Sequence, residues 1–349
     1  MNDRRMRWFC MFLFTPATLF AGEWTDLAKR VTASRLPALM ESNHVPGVSM
    51  AVVEDLQITW LSVYGKADVK AEAPVTTNTL FEAASMSKPL FAYAVMKLVE
   101  NKRLDLDRPL VDYLGKPYLP DAPKHKQITA RMVLNHTSGF PNWRKGGWKS
   151  GKPFPLKFDP GTQYGYSGEG FLFLQRVVEK ITKEGISPYM RREFMLPTGM
   201  PTSSYEWDEK HGAKVGAGHD AKGEVKKAGK RFDEANAAYS LLTTPSEYAR
   251  FLIEMMNPNR GGHSISADSV TDMLTETSRS KSGDRIYGLG WALSDTSIGR
   301  AVSHGGSNSS GFRCYSRFYP DSRNGIVIMS NAAGGKRLYQ ALLTEIEGK

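Results

Sequence analysis

Ser85 and Lys88 are the residues whose types and spacing most directly suggest covalent chemistry in this chain. They stand three positions apart in the run Ser85-Met86-Ser87-Lys88, and residues at this spacing share one face of a helix. The helix dipole and burial both disfavour a protonated amine at a helix N-terminus, so Lys88 is suited to act as a base. A serine that loses its proton to such an amine is a nucleophile. The pair therefore predicts nucleophilic catalysis by Ser85.

The residues after Lys88 predict the helix that must position this pair. Nearly every residue from 90 to 99 is apolar, and a helix that is apolar on almost all sides is a buried one. Pro89 lacks an N–H and fits the first helical turn, so the helix is predicted to begin near Ser85.

The Ser-x-x-Lys spacing is a short motif that also arises by chance, so it needs support from the rest of the chain. A second match, Ser278 to Lys281, lies in a polar, charged stretch with no apolar helix behind it and is interpreted as a solvated loop. The structural alternative for Ser85 is an N-cap residue on a core helix.

Two further segments carry residue types suited to proton transfer and anion binding. Tyr166 lies in the turn-rich loop 160–168, and a phenol near a cationic lysine has a lowered pKa and can carry protons. His304 begins the run His304-Gly305-Gly306-Ser307, whose adjacent glycines let backbone N–H groups approach a ligand closely. Taken singly, each has a structural alternative: a tyrosine that packs its ring, and a histidine whose hydrogen bonds are satisfied.

Together, these three motifs resemble those of the penicillin-recognising serine hydrolases. Ser85 to Lys88, then Tyr166-Ser167, then His304 to Gly306 occur in the order found in the class C β-lactamase-like group, which includes D,D-peptidases and family VIII carboxylesterases. The resemblance covers nearly the whole chain after the N-terminal segment, and three further stretches support it: 134–139, 160–162 and 287–291.

The resemblance implies a role for each motif. Ser85 would be acylated by the substrate carbonyl, and Lys88 and Tyr166 would share the general-base role. The backbone N–H groups of Ser85 and Ser307 would form the oxyanion hole. The implied fold is an antiparallel sheet flanked by helices, with a helical subdomain and the active site between the two parts.

The sequence departs from this family at two positions that bear on the substrate. Gly168 stands where the second motif often has an asparagine, whose amide holds the acylamino group of the substrate. His304 stands where the third motif often has a lysine, and it is predicted to carry a weaker, pH-dependent positive charge. Arg313 is a candidate for binding a substrate carboxylate instead, and Trp143 is a candidate aromatic residue of the substrate cleft.

Strand and helix patterns predict an α+β fold of the α/β sandwich type, with one antiparallel sheet built from both ends of the chain. The α/β part is assigned to about 22–85 and 285–349, and a mainly helical part to about 86–284. The predicted strands are 48–53, 58–64, 287–293, 311–319 and 325–330, and the predicted helices outside the Ser85 helix include 24–40, 128–135, 170–182, 246–256 and 336–346.

The N-terminus has the pattern of a secretory signal peptide. Three arginines precede a short apolar run, and small residues at 21 and 22 are plausible cleavage positions, so 1–21 is predicted as the signal and 22–349 as one catalytic domain. This predicts a periplasmic or secreted protein that contacts a membrane only through an uncleaved signal. Of the two cysteines, Cys10 lies in the signal, so Cys314 has no internal partner.

Composition and motifs disfavour several other classes of function. The basic residues behind the formal charge of +10 are scattered, and no nucleic-acid recognition motif is found. The seven histidines form no metal-ligand pattern, and neither a metal nor a cofactor is predicted. The expected partner is a small-molecule substrate, and the sequence specifies no oligomeric state.

Three functions remain open at this point. The first is a serine hydrolase that cleaves an amide or ester, such as a β-lactam or a D-Ala-type peptide, through an acyl-enzyme at Ser85. The second is a family VIII-type carboxylesterase on the same scaffold. The third is a non-catalytic envelope binding protein, and the joint presence of Ser85, Lys88 and Tyr166 argues against it.

Overall fold

The computed structural model describes residues 22–119, 123–150, 152–212, 214–226 and 234–348, so the predicted signal peptide lies outside the described residues. The α-helices in this part of the chain are α1 (Glu23–Ser42), α2 (Ser87–Glu100), α3 (Leu110–Leu114), α4 (Ala130–Leu134), α5 (Gly168–Thr182), α6 (Ile186–Met190), α7 (Glu209–Gly212), α8 (Pro245–Met256), α9 (Ala267–Leu274) and α10 (Gly335–Ile346). Short 3₁₀ turns lie at Ala84–Met86, Pro123–Gln127 and Trp148–Ser150, and a π-helical turn at Arg191–Met195.

The strands form one large antiparallel sheet and one short pair. They are β1 (Gly47–Glu54), β2 (Gln57–Asp68), β3 (Ala73–Pro74), β4 (Phe81–Glu82), β5 (Leu242–Thr243), β6 (Ser278–Arg279), β7 (Ile286–Tyr287), β8 (Ala292–Thr296), β9 (Gly299–Ser307), β10 (Arg313–Tyr319) and β11 (Asn324–Ser330). The large sheet has the order β3-β2-β1-β11-β10-β9-β8-β7-β6, and β4 pairs with β5. Strand β1 pairs with β11, with Val48 opposite Ser330, so the two ends of the chain meet at the centre of the sheet.

Helices cover both faces of the sheet, which explains why β1 and β11 are buried along their whole length. Alternate residues of a strand point to opposite faces. Accordingly, Val52 of β1 packs in the core that includes residues of α1 and α10, whereas Val53 packs in the larger core that includes most of α2 and α8. Strand β2, which lies between β3 and β1, instead largely alternates exposed and half-buried residues, as a strand with one face toward water does.

A buried carboxylate joins the first helix to the sheet. Glu54, at the end of β1, accepts hydrogen bonds from the backbone N–H groups of Gly22, Trp24 and Thr25 at 2.9–3.3 Å. These are unsatisfied donors of the α1 N-terminus, where negative charge is favoured. The indole Nε1 of Trp24 also donates to the carbonyl of Gly325 in β11 at 3.3 Å, so α1 is tied to both central strands.

The predicted α+β class and the antiparallel sheet built from both ends of the chain are confirmed. Three local predictions need correction. Ser85 lies in a 3₁₀ turn rather than in the α-helix itself, and the segment around His304, expected to precede a strand, is itself strand β9. The second Ser-x-x-Lys match begins in edge strand β6 rather than in a loop. In the described part of the chain, no helix combines the length and apolarity needed to cross a membrane.

Candidate active site

Ser85 lies in the 3₁₀ turn that leads into α2, and the turn is held by buried hydrogen bonds. Ala84, directly before it, has a φ of 49°, in the left-handed region that residues with a Cβ rarely adopt. The Ser87 hydroxyl donates to the carbonyl of Ala84 at 2.6 Å, and the Tyr248 phenol donates to the carbonyl of Met86 at 3.0 Å. Such strained backbone persists only where its surroundings fix it, as they do here.

Lys88 is enclosed by protein, with only 1% of its surface exposed. Its Nζ donates to the Ser85 Oγ at 3.3 Å and to the backbone carbonyl of Ala238 at 2.8 Å. Burial lowers the pKa of Lys88 to about 7, because the ammonium loses its hydration. Near neutral pH a large share of this amine is therefore unprotonated and lies beside the Ser85 hydroxyl.

Tyr166 is positioned by the N-terminus of α5. Ser167 is the N-cap, and its Oγ accepts from the Gly170 N–H at 2.9 Å. The backbone N–H of Ser167 donates to Nδ1 of buried His136 at 3.2 Å, and the His136 ring packs 4.2 Å from the Tyr166 ring, centroid to centroid. His136 therefore supports both the start of α5 and the Tyr166 ring.

The Tyr166 phenol lies near the Ser85 side chain, and Nζ of Lys88 lies 4.8 Å from the centroid of the Tyr166 ring. The structure brings all three residues together. The predicted lowering of the Tyr166 pKa is wrong, however, since burial raises it above its ordinary value. The Lys88 amine, whose charge was expected to lower the Tyr166 pKa, is itself readily deprotonated. The cost of desolvating the Tyr166 phenolate therefore determines the direction of the shift.

His304 lies on β9 with its ring centroid 6.3 Å from that of Tyr166. Its Nδ1 donates to the carbonyl of Gly305 at 2.8 Å, and Nε2 is buried with no hydrogen-bond partner in the described part of the chain. Burial, and then the charge of Lys88, lower the pKa of His304 to about 3. The predicted pH-dependent positive charge near neutrality is therefore wrong: the ring is neutral there.

Strand β9 lies against the turn that holds Ser85, and a glycine makes this possible. A Cβ atom at Gly306 would lie 2.0 Å from the carbonyl oxygen of Ala83, whereas a Cβ at Gly305 would make only ordinary contact, at 3.4 Å, with the Tyr315 ring. The backbone after Gly306 therefore continues next to the Ser85 turn. Ser307 is the next residue and the last of β9.

Glu82 supports the end of β9 and was not predicted as a site residue from the sequence. Its Oε2 accepts from Nδ2 of Asn308 and from Oγ of Ser310, both at 2.5 Å. Burial raises the pKa of Glu82 above its ordinary value. The detectable signal was an acidic residue only three positions before Ser85, in an otherwise apolar stretch.

Arg313 makes its hydrogen bonds away from the nucleophile. Its guanidinium donates to the backbone carbonyls of Asn308 and Phe312 at 2.9 and 2.8 Å. The adjacent Cys314 points to the opposite face of β10, where its Sγ lies 3.5 Å from the Glu82 carbonyl. The hydrogen bonds of Arg313 therefore order the loop after β9, and they link Arg313 to neither Ser85 nor Lys88.

Gly168 and Trp143 are brought together by the structure. A Cβ atom at Gly168 would lie 2.5 Å from Cζ2 of the Trp143 indole, so the ring occupies the space of a side chain at this position. The same indole lies edge to face with the ring of Tyr239, at 5.4 Å between centroids. Tyr239 directly follows Ala238, whose carbonyl accepts from Lys88.

The match to a family model settles which group of proteins this chain is part of. The model described as Beta-lactamase matches residues 32–347, a span that contains Ser85, Lys88, Tyr166 and His304. The chain belongs to the Beta-lactamase family. The predicted resemblance of the chain to this family is thereby confirmed.

Several known proteins are similar to this member of the Beta-lactamase family. It is 26% identical to Penicillin-binding protein 4* of Bacillus subtilis, over 88% of this chain and 73% of that protein. It is 20% identical to Protein flp of Staphylococcus aureus, over 84% of this chain and 60% of that protein. A solved structure, D-alanine carboxypeptidase AmpC from Burkholderia cenocepacia, aligns with a TM-score of 0.76 at 21% identity, over 92% of this chain and 99% of that one.

Within the residues described, no group of three or more His, Cys, Asp or Glu side chains is arranged to hold a metal ion.

Proposed function

We propose that the protein is a serine hydrolase that cleaves an amide or ester through an acyl-enzyme at Ser85. The observation that carries this proposal is the buried Lys88 amine, with Nζ 3.3 Å from the Ser85 Oγ and a pKa lowered to about 7. A base whose pKa lies near the working pH combines the correct protonation state with a useful driving force for proton transfer.

The first half of the reaction forms the acyl-enzyme. The Ser85 Oγ attacks the substrate carbonyl carbon while its proton passes to Nζ of Lys88, and the carbonyl oxygen becomes an oxyanion. The backbone N–H groups of Ser85 and Ser307 stabilise that charge. Collapse of the tetrahedral species breaks the bond to the leaving group, which takes up a proton from the pair Lys88 and Tyr166.

The second half releases the acid product. Water attacks the acyl carbonyl, gives its proton to Lys88, and the bond to Ser85 breaks as Oγ regains a proton. Because burial raises the pKa of Tyr166, this phenol is suited to donate and relay protons rather than to remain as a phenolate. Lys88 is therefore the main base in our proposal.

The substrate is proposed to be a β-lactam or a D-Ala-type peptide, or, as a second candidate, a carboxylic ester. The names of similar proteins, a penicillin-binding protein and a D-alanine carboxypeptidase, support the first. Two features of the site favour the ester: position 168 lacks an amide side chain, and His304 is neutral near pH 7. Export to the periplasm or medium, proposed from the signal pattern, fits either substrate.

The test is hydrolysis of a chromogenic cephalosporin, a D-Ala-D-Ala peptide and a short-chain nitrophenyl ester by the wild type, Ser85→Ala and Ser278→Ala. The last variant removes the serine of the second Ser-x-x-Lys match and serves as the matched control. We expect Ser85→Ala to lose at least about 1000-fold in rate and Ser278→Ala to stay near the wild type. Equal rates for wild type and Ser85→Ala, or no activity on any of these substrates, would contradict the proposal.

A further inference from the structure

Trp143 is fixed in place by the segment around it. The Asn142 backbone carbonyl and Oδ1 both accept from the Gly168 N–H at 3.0 Å, and the carbonyl also accepts from the Glu169 N–H at 3.0 Å. On the other side of Trp143, the Arg144 guanidinium binds the Glu169 carboxylate, with its shortest contact, from Nη2 to Oε2, at 2.7 Å.

The ion pair that follows Trp143 is buried, with side-chain exposures of 9% for Arg144 and 0% for Glu169. Removing one member of such a pair leaves an uncompensated buried charge, so the pair holds the 142–144 segment firmly on the start of α5. The backbone on both sides of Trp143 is therefore held in place, and the indole lies between Gly168 and Tyr239. These three residues form a wall beside the start of α5.

This wall lies next to the reacting groups. Gly168 is two residues after Tyr166, and Tyr239, which packs edge to face on the indole, follows the residue whose carbonyl binds Lys88. Trp143 and Tyr239 are both half-buried, so each leaves part of its ring open to solvent. A flat apolar group on a substrate gains by packing against such rings.

Position 168 offers no side-chain amide to a substrate amide. The Asn142 side-chain oxygen is used by the Gly168 backbone, and Gly168 itself has no side chain. A substrate acylamino group packed against the indole would lose its hydrogen bonds to water without gaining replacements, which is costly.

Building on the proposed function, we propose that Trp143, seated over Gly168, sets the acyl specificity of the Ser85 site. The site takes acyl groups that carry a flat apolar substituent, such as an aryl ring, in preference to acyl groups recognised through an acylamino substituent.

The experiment compares kcat/KM for three nitrophenyl esters: the acetate, the phenylacetate and the N-acetylglycinate. The wild type is expected to prefer phenylacetate over N-acetylglycinate. In Trp143→Ala the ratio of phenylacetate to acetate should fall by about 10-fold, a typical range for one lost pocket contact, while Trp143→Phe retains most of it. Gly168→Ala, whose methyl must displace the indole, should lower the same ratio.

Trp60→Ala is the matched control, because Trp60 is a half-buried tryptophan of β2 that packs with the core on the other side of the sheet. It should leave the ratio unchanged. If Trp143→Ala still hydrolyses the acetate and its ratio of phenylacetate to acetate is unchanged, this inference alone is overturned. A wild type that prefers N-acetylglycinate over phenylacetate would also overturn this inference alone. Absence of Ser85-dependent cleavage of any ester, with absence of Ser85 acylation, would overturn the proposed function and this inference with it.

Discussion

At the scale of single residues, burial decides the protonation of every candidate group around Ser85. It lowers the pKa of Lys88 to about 7 and that of His304 to about 3, and it raises that of Tyr166. In each case the charged form is penalised, since these groups lie away from water. The site thus holds one amine that can cycle its proton near neutral pH, with a neutral imidazole and a neutral phenol beside it.

This arrangement predicts a single acidic limb in the pH profile. The unprotonated amine of Lys88 is the active form, so kcat/KM should rise about tenfold per pH unit below pH 7 and level off above it. The phenol should add no alkaline limb near pH 8–9, because the pKa of Tyr166 is raised above its usual value of about 10. The measurement is kcat/KM from pH 5 to 9 on a neutral ester.

The control is a variant whose side chain at position 88 stays protonated over the whole pH range. Lys88→Arg keeps a cation but should lose about 100-fold or more in kcat/KM at every pH in this range. A wild-type profile that is flat from pH 5 to 8, or that falls as the pH rises through 7, would contradict the assignment of Lys88 as the base.

The identity of the main residues was accessible from the sequence, but their protonation was not. The spacing of Ser85 and Lys88 is local and follows from helix geometry. The pKa of Tyr166 depends instead on groups that lie far away along the chain and enclose its ring. The expectation of a lowered value failed for that reason, and the same holds for the charge of His304.

At the scale of elements, the contact between β9 and the Ser85 turn is the critical one. Gly306→Ala would place a methyl group 2.0 Å from the Ala83 carbonyl, so strand and turn must separate. We expect this variant to lose about 1–3 kcal/mol in unfolding free energy, as overpacked sites do, and most of its activity. Chemical denaturation and ester hydrolysis would measure the two effects.

The neighbouring glycine provides the matched control. At Gly305 an added methyl makes only ordinary contacts, the nearest with the Tyr315 ring at 3.4 Å. Gly305→Ala should therefore change the unfolding free energy by less than about 1 kcal/mol and retain activity. If the two variants behaved alike, the close approach of Gly306 to the turn would not be what positions β9.

Strand β9 is also where local sequence reasoning failed. Two successive glycines indicate a turn, because glycine is depleted in strands and has no side chain to pack. Pairing with β10, where Gly306 lies opposite Cys314, supplies the order that the local sequence lacks. The role of Glu82 was missed for a related reason, since its partners Asn308 and Ser310 are more than 200 residues away.

At the scale of the whole molecule, the sheet that joins the two ends of the chain was predictable in outline. The strand patterns at both termini indicated it, and pairing of β1 with β11 confirms it. The pairing of Trp143 with Gly168, 25 positions apart, was not predictable, because it depends on how the 142–144 segment folds back onto α5. Long-range packing of this kind determines the shape of the site, and it is invisible to motif spacing.

Activation of Ser85 as a nucleophile depends on the whole assembled molecule, and it is the central claim. The direct measurement is intact-mass and peptide-level mass spectrometry after incubation with a fluorophosphonate, which modifies activated serines whatever their natural substrate. We predict one adduct, on the peptide that contains Ser85, formed in the wild type and Ser278→Ala and absent in Ser85→Ala. An unmodified protein, or an adduct that persists in Ser85→Ala, would contradict the account.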